Sequence, residues 1–86
     1  MNKDILNDMG YEDSIIFENP DYDNAIVGIS TSGNVIYDYD LMIKHLVETE
    51  GMDEMEAADF VSYNTIRALD YFTGDPKPIV MFDLDE

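Results

Sequence analysis

Cysteine is absent from this chain, so disulfides, thiolate zinc sites and cysteine nucleophiles are excluded, and thiol usage says nothing of the redox compartment. Positive charge is scarce: four Lys and Arg stand against twenty Asp and Glu, a formal net charge of −16 at pH 7. Such a surface repels DNA, RNA and anionic membrane, which are poor direct partners, and attracts basic proteins and cations. Histidine occurs once, at His45, with no Cys or second His to share a transition metal. No apolar run approaches the length that spans a bilayer, and the opening MNKDILNDMG lacks the apolar stretch of a signal peptide. A cytoplasmic setting is therefore expected, without membrane or export. No glycine-rich phosphate loop appears; the five glycines suit turns, caps and strand packing. At 86 residues the chain is expected to form one domain, 1–86.

The best-specified stretch is 51–72, GMDEMEAADFVSYNTIRALDYF. Asp53 with Glu56 three residues later is a capping box, the Asp carboxylate accepting from free N–H groups of the first turn, which predicts a helix over 53–72. Spacing at 100° gathers Ala57, Ala58, Phe60, Val61, Asn64, Thr65, Ala68, Leu69, Tyr71 and Phe72 in one sector, with Glu56, Asp59, Tyr63, Arg67 and Asp70 opposite. Asn64 is the polar exception inside that sector. It is expected to be a buried amide bonded to a neighbouring loop backbone, because an unpaired buried amide costs roughly 1–3 kcal/mol; a ligand-orienting role is the alternative. Ile66 falls outside the sector near Met55, as a lone exposed apolar residue or as part of a partner patch.

Earlier in the chain, residues 2–9 can make one or two helical turns with Ile5, Leu6 and Met9 on one side, ended by Gly10. Segments 14–18 and 25–30 read as strands, and turn chemistry at Thr31-Ser32-Gly33-Asn34 before Val35-Ile36-Tyr37 predicts a β-hairpin over 25–37. Asp38 or Asp40 can cap a helix over 39–50, with Tyr39, Met42, Ile43, Leu46 and Val47 inward and Lys44, His45, Glu48 and Thr49 solvated. Gly51 and Met52 alone separate it from the Asp53 cap, so the two helices should form an αα-hairpin. A DNA-binding helix-turn-helix is rejected on the acidity of the outer faces. After Gly74-Asp75-Pro76-Lys77-Pro78, the apolar run 79–82 reads as a strand covered on both sides. Together these give an α+β fold in two layers, a small antiparallel or mixed β-sheet with an αα-hairpin packed on one face.

No catalytic constellation emerges. Ile79-Val80-Met81-Phe82-Asp83-Leu84-Asp85 resembles the strand-end D-x-D of haloacid-dehalogenase phosphatases, but the helix, helper Thr or Ser, Lys and further carboxylates that complete that site do not follow. Asp21, Asp23 and Glu18 lack the cadence of a calcium loop. No serine lies in a nucleophile elbow, so His45 has no triad to serve. The expectation is a non-enzymatic protein without metal or cofactor. What remains is acid interleaved with aromatics, in Asp21-Tyr22-Asp23, Asp38-Tyr39-Asp40 and Asp70-Tyr71-Phe72. Carboxylates held on a rigid surface can imitate a phosphate track and occupy the basic groove of a nucleic-acid-binding protein. The candidate partner-binding residues are Asp21, Asp23, Asp38, Asp40, Glu54, Glu56, Asp59, Tyr63 and Asp70. Self-association as a homo-oligomer through Leu41, Met55 and Ile66 is the alternative.

Glu50, Gly51, Met52, Glu56, Ala57, Phe60 and the run Tyr63-Asn64-Thr65-Ile66-Arg67-Ala68-Leu69, with FENPDYDNAIVG upstream over 17–28, resemble small acidic proteins of bacteriophages and prophages. The resemblance covers most of the chain and carries no catalytic residue over. It implies a phage setting and a host-cell cytoplasm, where short acidic proteins that block host defence or nucleic-acid enzymes form a class; a self-associating accessory phage protein is the other reading.

Overall fold

The computed structural model describes residues 2–18 and 20–84. Met1, Asn19, Asp85 and Glu86 lie outside the described residues, and with them the second acid of the D-x-D. Helix α1, Lys3–Asp8, starts where the Asn2 side chain accepts from the Ile5 N–H at 3.1 Å. It buries only Leu6; Ile5 and Met9, expected beside it, are exposed.

Segment 14–18 is not a strand. It has no ladder partner among the described residues, and its anchors are side-chain contacts instead: the Ser14 hydroxyl donates to Gly33 O at 2.8 Å, and the Phe17 N–H donates to the Tyr37 hydroxyl at 3.2 Å. Phe17 is buried against the rings of Tyr22, Tyr37 and Phe72, so aromatic packing rather than pairing fixes this stretch.

Strands β1, Ile26–Ile29, and β2, Val35–Asp38, form the expected antiparallel hairpin. Its loop closes on Ser30, whose hydroxyl accepts from the N–H groups of Ser32 and Asn34, and Gly33 takes a φ of +85° that side chains resist. A bulge between Ile26 and Gly28 shifts the register by one residue. Strand β3, Ile79–Met81, lies parallel to β2, giving a mixed sheet in the order β1-β2-β3. It is an edge strand with Ile79 exposed, which corrects the expectation of cover on both sides.

The parallel pairing of β2 with β3 requires a long crossover, and the helices supply it. Helix α2, Tyr39–Glu50, is capped by Asp38, whose Oδ1 accepts from the Leu41 N–H at 3.0 Å, and ends at Gly51 with φ +70°. Asp53 then caps helix α3, Glu54–Phe60, accepting from the Glu56 N–H at 2.8 Å. The predicted single run continues without a break through a π turn, Val61–Thr65, helix α4, Ile66–Ala68, and a 3-10 turn, Leu69–Tyr71. The core between sheet and helices gathers Leu6, Phe17, Tyr22, Ala25, Ile26, Val35, Tyr37, Met42, Leu46, Ala57 and Val61. The fold is the small α+β architecture that the sequence pattern predicts.

The π turn alters which residues face in. The Ile66 N–H bonds back to Val61 O, five residues earlier, so one extra residue fits into the turn and inward positions slide along by one. Thr65 is buried, as the regular spacing expected, but Asn64, which that spacing also turned inward, is exposed, and Ile66, which it left outside, rotates to pack against the core. Beyond the slip Tyr71 also turns out, at 84% exposure.

Candidate functional site

The acidic residues divide by what their carboxylates already hold. Asp38 is 4% exposed and occupied with the α2 cap, so it is withdrawn from any docking surface. Asp21 and Asp23 are half-buried and clamp α1 to the loop: Lys3 Nζ lies 3.7 Å from Asp21 Oδ2, the Lys3 N–H donates to Asp23 Oδ1 at 2.8 Å, and the Asp23 N–H donates to Asp21 Oδ1 at 3.1 Å. Between them Tyr22 has a left-handed φ of 47° and is fully buried, its hydroxyl 2.6 Å from Thr65 Oγ1. The Asp-Tyr-Asp pattern here is thus a folding device, with the ring inward and the acids tied to α1.

Asp40, Glu54, Glu56, Asp59, Tyr63 and Asp70 are exposed, and all but Asp40 belong to the second helical run. Helix geometry separates Glu54 from Asp59 by about 7 Å along the axis, on a scaffold fixed at its start by the Asp53 cap. Arg67 lies over the Tyr63 ring, 5.8 Å from its centroid.

Between α2 and α3 runs a groove of about 700 Å³. Its floor is apolar, from Ile43 and Val47 on α2 and Met55 and Ala58 on α3. Its rim is acidic, from Asp40, Glu48 and Glu54, with Lys44 Nζ drawn to 3.8 Å from Glu48. Met55 is 77% exposed. Of the three residues proposed for self-association, Met55 opens into this groove and Leu41 lines a separate depression beside His45, while Ile66 is half-buried against the core. They do not form one patch.

His45 is not the solvated residue expected. It is half-buried, its ring 5.5 Å from that of Tyr22, and its Nδ1 is buried without a hydrogen-bond partner among the described residues. Helical projection left that side of α2 open, but the 3-10 turn Asp23–Ala25 packs there. Nothing in the sequence around His45 signals this cover, which comes from a segment twenty residues away.

A smaller cleft of about 270 Å³ beside the π turn is lined by Phe17, Phe60, Phe72 and Asn64, but its Thr65 hydroxyl is engaged with Tyr22. Among the described residues no three His, Asp or Glu side chains converge as metal ligands, and no helix is long and apolar enough to cross a membrane. Burial and the flanking Asp23 and Asp21 charges push the Tyr37 hydroxyl up to about 12, against the opposing effect of its bond from the Phe17 N–H. Burial also raises Tyr22. Both phenols are structural, packed in the core. Comparison of the chain with protein-family models, with curated proteins and with solved structures returns no match.

Proposed function

We propose that this chain is a non-enzymatic acidic binding protein that occupies the basic groove of a nucleic-acid-binding protein, in a phage setting as an inhibitor of a host defence or nucleic-acid enzyme. One observation carries the reading: a net charge of −16 whose helical share, at Asp40, Glu54, Glu56, Asp59 and Asp70, stands exposed on capped helices. Side chains on a rigid element present charge with little ordering cost on binding, which favours fast, salt-sensitive association with a cationic groove. Direct binding to nucleic acid runs against the same charge.

The test is capture from host lysate at low and high salt, followed by DNA competition on what is retained. The proposal expects a basic protein that binds at low salt, weakens as salt rises and is displaced by DNA, since exposed charges are screened beyond about 10 Å at 0.1 M salt. Capture of nothing basic, or a complex indifferent to DNA, contradicts it. An enzyme acting through Asp21 and Asp23 or through Asp83 and Asp85 would instead lose activity on a single Asp→Asn change.

The exposed Met55 favours a second reading, self-association. Two copies of −16 repel, so assembly through apolar contacts should strengthen as salt screens them. Light scattering that reports a monomer at both low and high salt removes it.

A further inference from the structure

We infer that the groove between α2 and α3 is the docking site for an amphipathic helix of a basic protein, one that inserts an apolar stripe and flanks it with Lys or Arg. This rests on the acidic-binding reading and names the part of the partner that the site accepts. Three features of the groove select this occupant.

The first is its pattern. On α2 the positions Asp40, Ile43, Lys44, Val47 and Glu48 follow the i, i+3, i+4, i+7, i+8 spacing of a single helical stripe, and Glu54, Met55 and Ala58 supply the facing wall. Met42 and Leu46 are fully buried, whereas Ile43 and Val47 pack against the edge of the core and leave part of their apolar surface open to the groove. A Met 77% exposed beside Ile43 and Val47 offers apolar area that a partner can remove from water.

The second is shape. The stripe from Asp40 to Glu48 extends about 12 Å, enough for two turns of a docked helix with anchors at i, i+3 or i+4, and i+7. An extended peptide is a poor occupant, because both walls are helices whose backbone groups are already bonded within the helix and cannot pair with a strand. A third helix seats its ridge of side chains in the groove and needs no backbone partner.

The third is charge. Asp40, Glu48 and Glu54 rim an apolar floor and leave one cation, Lys44, which lies beside Glu48. Basic residues at the edges of an incoming apolar stripe meet these carboxylates. A second copy of this chain would bring its own acidic rim against the first, so self-docking in this groove is opposed by like charge. The geometry also joins two sets of residues that the sequence kept apart: Asp40 and Glu54 as charged contacts, and Met55 as an apolar one.

The experiment uses three fluorescein-labelled probes of equal length: a leucine–lysine peptide with leucines at i, i+3, i+4 and i+7; the same composition shuffled so that the leucines share no helical face; and oligolysine. Affinities are measured by anisotropy for the parent and for Met55→Ala, and amide shifts are mapped with ¹⁵N-labelled protein. The amphipathic probe should bind about ten-fold or more tighter than the shuffled one, with shifts centred on Ile43, Val47, Met55 and Ala58. Met55→Ala, an exposed change to a good helix former, should remove roughly ten-fold from the amphipathic probe and leave oligolysine unchanged. Equal affinity for the two leucine probes, with Met55→Ala silent, overturns the groove while salt-sensitive oligolysine binding upholds the acidic reading. If neither oligolysine nor the amphipathic probe binds, the acidic reading fails and the groove with it.

Discussion

Replacing Thr65 with Val, set beside Asn64→Ala, tests the packing around the π turn. The substitution keeps a β-branched side chain of nearly the same volume and deletes one hydroxyl, the one 2.6 Å from the buried Tyr22 hydroxyl. Tyr22 would then be left with a buried, unpaired O–H, which costs about 1–3 kcal/mol. For a domain of this size each kcal/mol moves the thermal midpoint by about 4–8 °C, so the loss is well within the reach of calorimetry. Asn64, one residue earlier and exposed, should tolerate Ala to within about 0.5 kcal/mol. The double variant Tyr22→Phe/Thr65→Val removes both partners, and its loss should be smaller than the sum of the single changes because no buried hydroxyl remains. In a regular helix Asn64 would face inward together with Thr65, as the 100° spacing has it. A costly Asn64→Ala would therefore refute the one-residue slip, and a neutral Thr65→Val would refute the buried hydroxyl pair.

Two further outcomes follow from the backbone and the core. Gly51→Ala should cost about 1–2 kcal/mol by denaturant titration, because Gly51 holds φ +70°, while the space around it is open and adds no clash. For Tyr37 the folded state holds the phenolic proton up to about 12 against an ordinary value of 10.0, so stability from this group is intact below pH 10 and lost as pH rises towards 12. Denaturation midpoints measured from pH 9 to 12 should fall over that window and fall less steeply in Tyr37→Phe; equal slopes would contradict the shift.

Features with local causes were legible in the sequence. The Asp38 and Asp53 caps, Gly51 between them and the Ser30–Asn34 turn place the helix pair and the hairpin because each signal acts within four residues of its target. Features settled by distant neighbours were not. His45 is covered by the Asp23–Ala25 turn, segment 14–18 is held by Gly33 and Tyr37, and the parallel edge position of β3 depends on pairing across a separation of 43 residues. The π turn defeated the 100° projection locally: Ala57, Val61 and Thr65 are inward as that spacing expects, but Asn64 turns out and Ile66 turns in. At the candidate site the exposed acids of α3 were readable from helical phase, and the capping of α2 by Asp38 was among the expected alternatives, whereas the clamping of α1 by Asp21 and Asp23 comes from a contact some twenty residues away in the chain. The groove needed the structure, because its walls come from two helices whose relative placement no single periodicity gives.

The central claim is that exposed carboxylates of the helices bind a cationic partner. Its most direct test is the affinity of the captured basic protein for the triple variant Glu54→Gln/Glu56→Gln/Asp59→Asn, with circular dichroism to verify the fold, since the first-turn acids also stabilise the α3 N-terminus. At about 0.2–1 kcal/mol per exposed pair, the three changes should weaken binding roughly three-fold to a hundred-fold and flatten its dependence on salt. An unchanged affinity and salt slope in a folded triple variant would contradict the account.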